Sequence, residues 1–130
     1  MLIRPALPPD REIAAVWARM HGQELNPAML PPIGIVCEDA PGMEAGMCWI
    51  YLSCNVGVAF VEFLVLRPGL ILTEQVRIGA ALMDGIEAAA KALGYTVLVA
   101  YSLPACARYL HRFGWKCDDP RAKTAMHKVL

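Results

Sequence analysis

VGVAFVEFLVLRPGLILTEQVRIGAALMDGIEAAAKALGYTVLVAY, residues 56–101, is the stretch whose reading decides the fold. Residues 56–66 are rich in Val and Phe and read as a strand, which Arg67-Pro68-Gly69 ends. Residues 70–72 follow as loop. Thr73 is placed to cap a helix over 74–93, with Gly94 as its stop. The apolar face of that helix takes Val76, Leu82 or Met83, Ile86, Ala90 and Leu93. Residues 95–101 then form a buried strand. If the two strands are parallel in one sheet, the connection is a right-handed crossover.

The rest of the chain extends this unit in both directions. Upstream, residues 33–38 and 43–53 are strand candidates separated by the turn Ala40-Pro41-Gly42. Their connections are too short for crossovers, so with 56–66 they predict an antiparallel meander. Residues 2–6 read as a first strand. Asp10 is placed to cap a helix over 11–23, whose buried face would carry Ile13, Val16, Trp17 and Met20. Residues 25–32 hold three prolines and read as loop or a short helical turn. Downstream, Pro104 sits at the first turn of a helix closed by Gly114, and 124–129 form a last strand. The fold class is therefore α/β (α+β) in the order β-α-β-β-β-α-β-α-β, with a mixed, mainly antiparallel sheet flanked by helices. The 130 residues fit one domain.

Composition narrows the function. Hydrophobic residues make up 57% and charged residues 18%, which excludes intrinsic disorder. A net charge of zero lacks the basic excess of a nucleic-acid binder. The apolar material exceeds what one small core needs, so an apolar patch, a ligand channel or an oligomer interface is expected, with a homodimer or larger assembly in view. Residues 45–61 and 92–107 carry no charge, but they are short for a span and hold turn formers such as Asn55, Gly57, Gly94 and Pro104. Buried strands explain them better than a membrane span. No signal-peptide core is visible in residues 1–9, and a cytoplasmic location is expected. Five cysteines without a Cys-x-x-Cys pair, and three widely spaced histidines, predict reduced thiols, most of them buried, and no metal site.

Three local stretches, in this order and spacing, resemble the GNAT superfamily of acyl-CoA-dependent N-acyltransferases. Leu64-Val65-Leu66-Arg67-Pro68 is similar to that family's Leu-x-Val-x-Pro at the end of its fourth strand. Gln75-Val76-Arg77-Ile78-Gly79-Ala80 resembles its pyrophosphate loop, (Gln/Arg)-x-x-Gly-x-(Gly/Ala). The segment from Ala107 to Trp115 resembles its closing segment. The resemblance covers almost the whole chain. It implies acetyl-CoA as co-substrate, a small-molecule or peptide amine as acceptor, and direct transfer within a ternary complex.

The resemblance also assigns roles. Backbone amides at Gln75, Val76, Arg77, Ile78, Gly79 and Ala80 would cradle the CoA pyrophosphate, with Arg77 adding charge, because helix N-termini attract anions. Backbone at Val65, Leu66 and Arg67 would pair with pantetheine as an added strand. Glu62 would act as general base, as a carboxylate whose pKa is raised by burial could, against the alternative of plain alternation to a solvent-facing side. Tyr109 would protonate the leaving thiolate, although the family's Tyr falls at Leu110, about 100° away on a helix. The loop also departs from the pattern. Ile78 stands at the first Gly, and in a second register Glu74 stands where an Arg is usual. The rival expectation is a GNAT-like interaction module without catalysis.

Overall fold

In the computed structural model, residues 1–54, 56–101, 110–117 and 125–130 are described. The elements are β1 (Leu2–Pro5), α1 (Pro8–Met20), a 3-10 turn (Pro27–Met29), β2 (Ile33–Ala40), β3 (Met43–Leu52), β4 (Val58–Leu66), α2 (Leu72–Ala92), β5 (Val97–Tyr101), β6 (Lys116–Cys117) and β7 (Ala125–Val129). The strands form one seven-stranded sheet in the order β1-β2-β3-β4-β5-β7-β6. β4 and β5 pair in parallel, joined through α2, and the other neighbours are antiparallel. The expected α+β class, the mixed sheet and the β2-β3-β4 meander are all present.

A helix covers each face. α2 packs Ile78, Leu82, Ile86 and Ala90 onto Ile35, Cys48, Ile50, Ala59, Leu98 and Met126. α1 lies on the opposite face, where Ala14 meets Val36, Met47, Trp49 and Val65, with Ile13, Trp17 and Phe63 at the margin. Strand residues alternate between these two cores, the period-two pattern that strands impose. Gly46 lets α2 approach β3, since a Cβ there would come within 2.8 Å of the side chains of Ile78, Leu66 and Leu82.

Three expectations need correction. Both long helices start earlier than their apparent caps. In α1, Pro8 and Pro9 fill the first positions, where a missing N–H costs nothing, and Asp10 accepts from the Leu7 N–H at 2.6 Å. In α2, Glu74 accepts from the Ile71 N–H at 3.0 Å, and Thr73 lies inside the helix. The carboxylates thus cap from the third helical position, reaching back to a residue with an apolar side chain. Second, α1 buries Ala14, Ala15 and Ala18, while Val16 and Met20 are exposed. Small alanines admit close approach to the sheet, which rotates the helix away from its larger apolar residues. Third, a short β6 pairs on the outside of β7, a strand absent from the expected order.

The expected helix from Pro104 to about Phe113 lies mostly outside the described residues. Residues 110–112 are helical, and Gly114 closes them at φ 82°, with the Trp115 N–H returning to the Leu110 carbonyl at 3.1 Å. Cys37 and Cys48 are buried thiols, and Cys54 is an exposed one. Burial pushes the Cys48 thiol up to about 12.

One arginine ties the β1 edge together. Arg4 reaches Asp10 at 2.7 Å, Glu38 at 2.6 Å and Glu44 at 3.2 Å, joining β1, α1, β2 and β3. Glu38 is held below its ordinary value by the Arg4 hydrogen bond and the Gly42 N–H. For Asp10, burial pushes upward, but the Arg4 and Leu7 hydrogen bonds prevail and its value falls.

Candidate functional site

Among the described residues, the sheet parts between β4 and β5. β4 pairs with β5 from Val58↔Val97 to Val61↔Ala100. β4 then continues to Leu66 along β3, with Gly46↔Leu66 as its last pair. Among the described residues, no strand pairs the outer edge of β4 beyond Val61. The parting coincides with a bulge. Trp49 pairs Phe63 and Ile50 pairs Val61, so Glu62 is the extra residue on β4.

The bulge also swaps faces. Before it, Ala59 and Val61 point toward α2. After it, Phe63 and Val65 point toward α1. One inserted residue has exchanged the two sides of the strand. Glu62 itself is exposed among the described residues.

The ladder says which backbone groups face the opening. The Arg67 N–H donates to the Ala45 carbonyl at 2.9 Å. Because hydrogen-bonded and non-hydrogen-bonded pairs alternate, Met47↔Val65 is a bonded pair, while Gly46↔Leu66 and Cys48↔Leu64 are not. The N–H and C=O of Leu64 and Leu66 therefore point outward. Of the expected trio Val65, Leu66 and Arg67, Leu66 alone offers its backbone to a ligand. The other two are turned toward β3. Leu64, the first residue of the motif, also belongs to the edge, although the expected backbone trio did not include it; the β3–β4 register places it there.

The α2 N-terminus lies five residues beyond β4. The stretch Gln75–Ala80 is helix throughout rather than a cradle of free amides. The Gln75 N–H already bonds the Ile71 carbonyl at 3.0 Å, and the following amides continue the helical ladder. Val76 is half-buried, Ile78 is buried in the α2 core, and Gly79 and Ala80 are half-buried. A Cβ on Gly79 would meet nothing within 4 Å, so close packing does not demand its glycine. The Gln75 amide donates to the Leu70 carbonyl at 2.7 Å. An α-helix leaves its first N–H groups without helical partners, and here those belong to Leu72, Thr73 and Glu74, one turn earlier than expected.

Charges surround this end of the helix. Glu74 holds the Ile71 N–H, so a carboxylate stands where an anion would bind. Arg67 binds the Glu44 carbonyl at 3.0 Å and Asp39 at 2.7 Å. Arg77 is exposed and stands 3.8 Å from the other Asp39 oxygen. Ile71 and Leu72 are exposed apolar residues beside the opening. On the opposite side, His21 reaches the Leu66 carbonyl with Nε2 at 2.8 Å. Tyr109 lies outside the described residues. Among the described residues, no group of three His, Cys, Asp or Glu side chains could hold a metal, and no helix is long and apolar enough to cross a membrane.

A mixed sheet that splays between two parallel strands beside a helix N-terminus is the fold of the GNAT N-acetyltransferases, and this chain has that fold. An aminoglycoside 6'-acetyltransferase type Ii superposes with a TM-score of 0.80 at 15% identity, covering 99% of this chain and 97% of that one. A phosphinothricin acetyltransferase from Sinorhizobium meliloti, in complex with AcCoA, matches with a TM-score of 0.77 at 14% identity over 99% and 88% of the two chains. A GCN5-related N-acetyltransferase from Kribbella flavida gives 0.74 at 17% identity over 99% and 97%. At these identities the likeness is one of fold. No protein-family model matches the sequence, and no curated protein matches it.

Proposed function

We propose that this chain is an acyl-CoA-dependent N-acyltransferase that moves an acetyl group from acetyl-CoA to an amine. The observation that carries the reading is the parting of β4 from β5 at the bulged Glu62, with outward N–H and C=O groups on Leu64 and Leu66. Pantetheine carries amides of its own, and an unpaired strand edge is a template for them. The solved acetyltransferases of this fold, one of them with AcCoA bound, support the same reading.

The chemistry follows from the layout. The acceptor amine loses a proton, and Glu62 stands at the bulge to take it directly or through water. The amine nitrogen attacks the thioester carbonyl, forming the C–N bond. Outward N–H groups of the splayed strand would stabilise the oxyanion that develops. The C–S bond then breaks, and Tyr109 is the proposed donor to the departing thiolate. Because Glu62 is exposed, bound acceptor and cofactor would have to supply its desolvation.

The diphosphate end fits less well. The amides of Leu72, Thr73 and Glu74, with Arg77 nearby, suit an anion. The Glu74 carboxylate opposes one. That observation favours the second reading, an interaction module that keeps the fold without the reaction.

Calorimetric titration of the purified protein with acetyl-CoA, with CoA and ATP as controls, separates the two. Saturable binding at one site per chain, followed by thiol release with an amine acceptor, is expected. No binding at millimolar acetyl-CoA overturns the enzyme reading.

A further inference from the structure

The carbonyl of Leu66 is one of the outward groups on the open edge, and His21 already occupies it. Nε2 of His21 lies 2.8 Å from that oxygen. A carbonyl oxygen only accepts, so Nε2 carries the hydrogen. The contact joins the end of α1 to the end of β4.

The backbone under His21 is tightly held. His21 caps α1; the Gly22 N–H bonds the Arg19 carbonyl at 2.9 Å and the Gln23 N–H bonds the Ala18 carbonyl at 2.9 Å. Gly22 adopts φ 78°, which completes a glycine-closed helix end. Trp17, one turn earlier, packs on the cluster that contains Val65. By contrast the His21 side chain is exposed. Its ring can leave Leu66 by side-chain rotation alone, on the nanosecond scale of exposed rotamers.

We propose that His21 is a latch on the open edge of β4: it holds the Leu66 carbonyl in the free protein and swings away when the amide-bearing arm of CoA pairs with that edge. The inference rests on the acyltransferase reading. The ligand must replace a hydrogen bond already made, so part of its gain at Leu66 is cancelled. Removing the latch therefore tightens binding, whereas removing a ligand-contacting residue would weaken it.

The test is calorimetry of CoA with the wild type and with His21→Ala, supported by nitrogen-15 NMR of the wild-type histidine rings. His21→Ala should bind CoA about two- to tenfold tighter, the range expected for relieving one hydrogen bond. In the free wild type, the His21 ring should carry its hydrogen on Nε2, and its signals should move on CoA addition. Wild-type binding with His21→Ala no tighter, or a free ring protonated on Nδ1 alone, overturns the latch and leaves the acyltransferase reading standing. CoA binding by neither protein overturns that reading, and the latch with it.

Discussion

The two halves of β4 are built from similar residues and behave differently. Residues 59–61 are paired on both edges, with β3 on one side and β5 on the other. From Glu62 to Leu66 the strand keeps β3 and lacks β5. Both halves are apolar, so hydrophobicity does not distinguish them. The bulge does: it turns the strand over, sends Phe63 and Val65 to the α1 side, and marks the point where the backbone becomes available. In the closed half the backbone groups are spent on the sheet. In the open half, among the described residues, the groups of Leu64 and the N–H of Leu66 are left for a ligand, while the Leu66 carbonyl holds His21.

Glu62→Gln is the strongest attack on this contrast. If Glu62 is the base, acetyl transfer should fall by about 10²–10⁴, the usual contribution of general base catalysis. CoA affinity measured by calorimetry should stay unchanged. Full activity in the variant would remove Glu62 from the mechanism.

Proline scanning sharpens the parity. Val65→Pro removes an N–H that faces β3 and strands the Met47 carbonyl, costing about 1–3 kcal/mol from the unsatisfied acceptor alone. Leu66→Pro removes an outward N–H and should spare the ladder, as proline does at an edge. Urea unfolding should separate the two variants, and CoA titration should show Leu66→Pro binding more weakly than its stability predicts.

Acid should loosen the Arg4 cluster that ties β1 to α1, β2 and β3. Asp10 and Glu38 both have lowered values in the folded chain, through Arg4 and backbone N–H groups. A lowered folded value means stability present above the ordinary carboxylate range and lost as pH falls through the folded value. Thermal melting from pH 7 down to pH 2.5 should show the midpoint falling below about pH 4, where ordinary carboxylates begin to protonate. In Arg4→Met that loss should be flattened or reversed, and the variant should be less stable at pH 7, because two nearly buried carboxylates lose their partner.

Glu74→Gln is the mildest change. It keeps an oxygen for the Ile71 N–H and removes the charge facing an incoming phosphate. Helix stability should drop by about 0.3–1 kcal/mol at most. CoA should bind a few-fold tighter, and the gain should shrink as salt rises. Weaker binding would show that the carboxylate does not face the ligand.

Much of the fold is legible in the sequence. Turn residues at Ala40-Pro41-Gly42 and Arg67-Pro68-Gly69, and long runs of Val, Ile and Phe, place β2, β3, β4, α2 and β5 because those signals are local. The helices start two or three residues before the cap residues the sequence suggests, because Asp10 and Glu74 cap backward from the third position, a geometry that single-residue cap preferences do not register. The buried face of α1 excludes Val16 and Met20, since periodicity finds the apolar stripe but alanines decide how closely a helix can dock. β6 is two residues long and carries too little pattern to be seen.

The site divides in the same way. Sequence alone determined the order of the elements from β1 to β5 and offered Glu62, Leu66 and Arg77 as candidates, because composition and local motifs encode backbone conformation. Tertiary structure decided that Glu62 is the bulge, that Leu64 and Leu66 rather than Val65 and Arg67 face the opening, that the free amides are those of Leu72–Glu74, and that His21 closes on the Leu66 carbonyl. Each of these depends on the register between β3 and β4 or on contact between segments distant in the chain, and a run of apolar residues fits either register equally well.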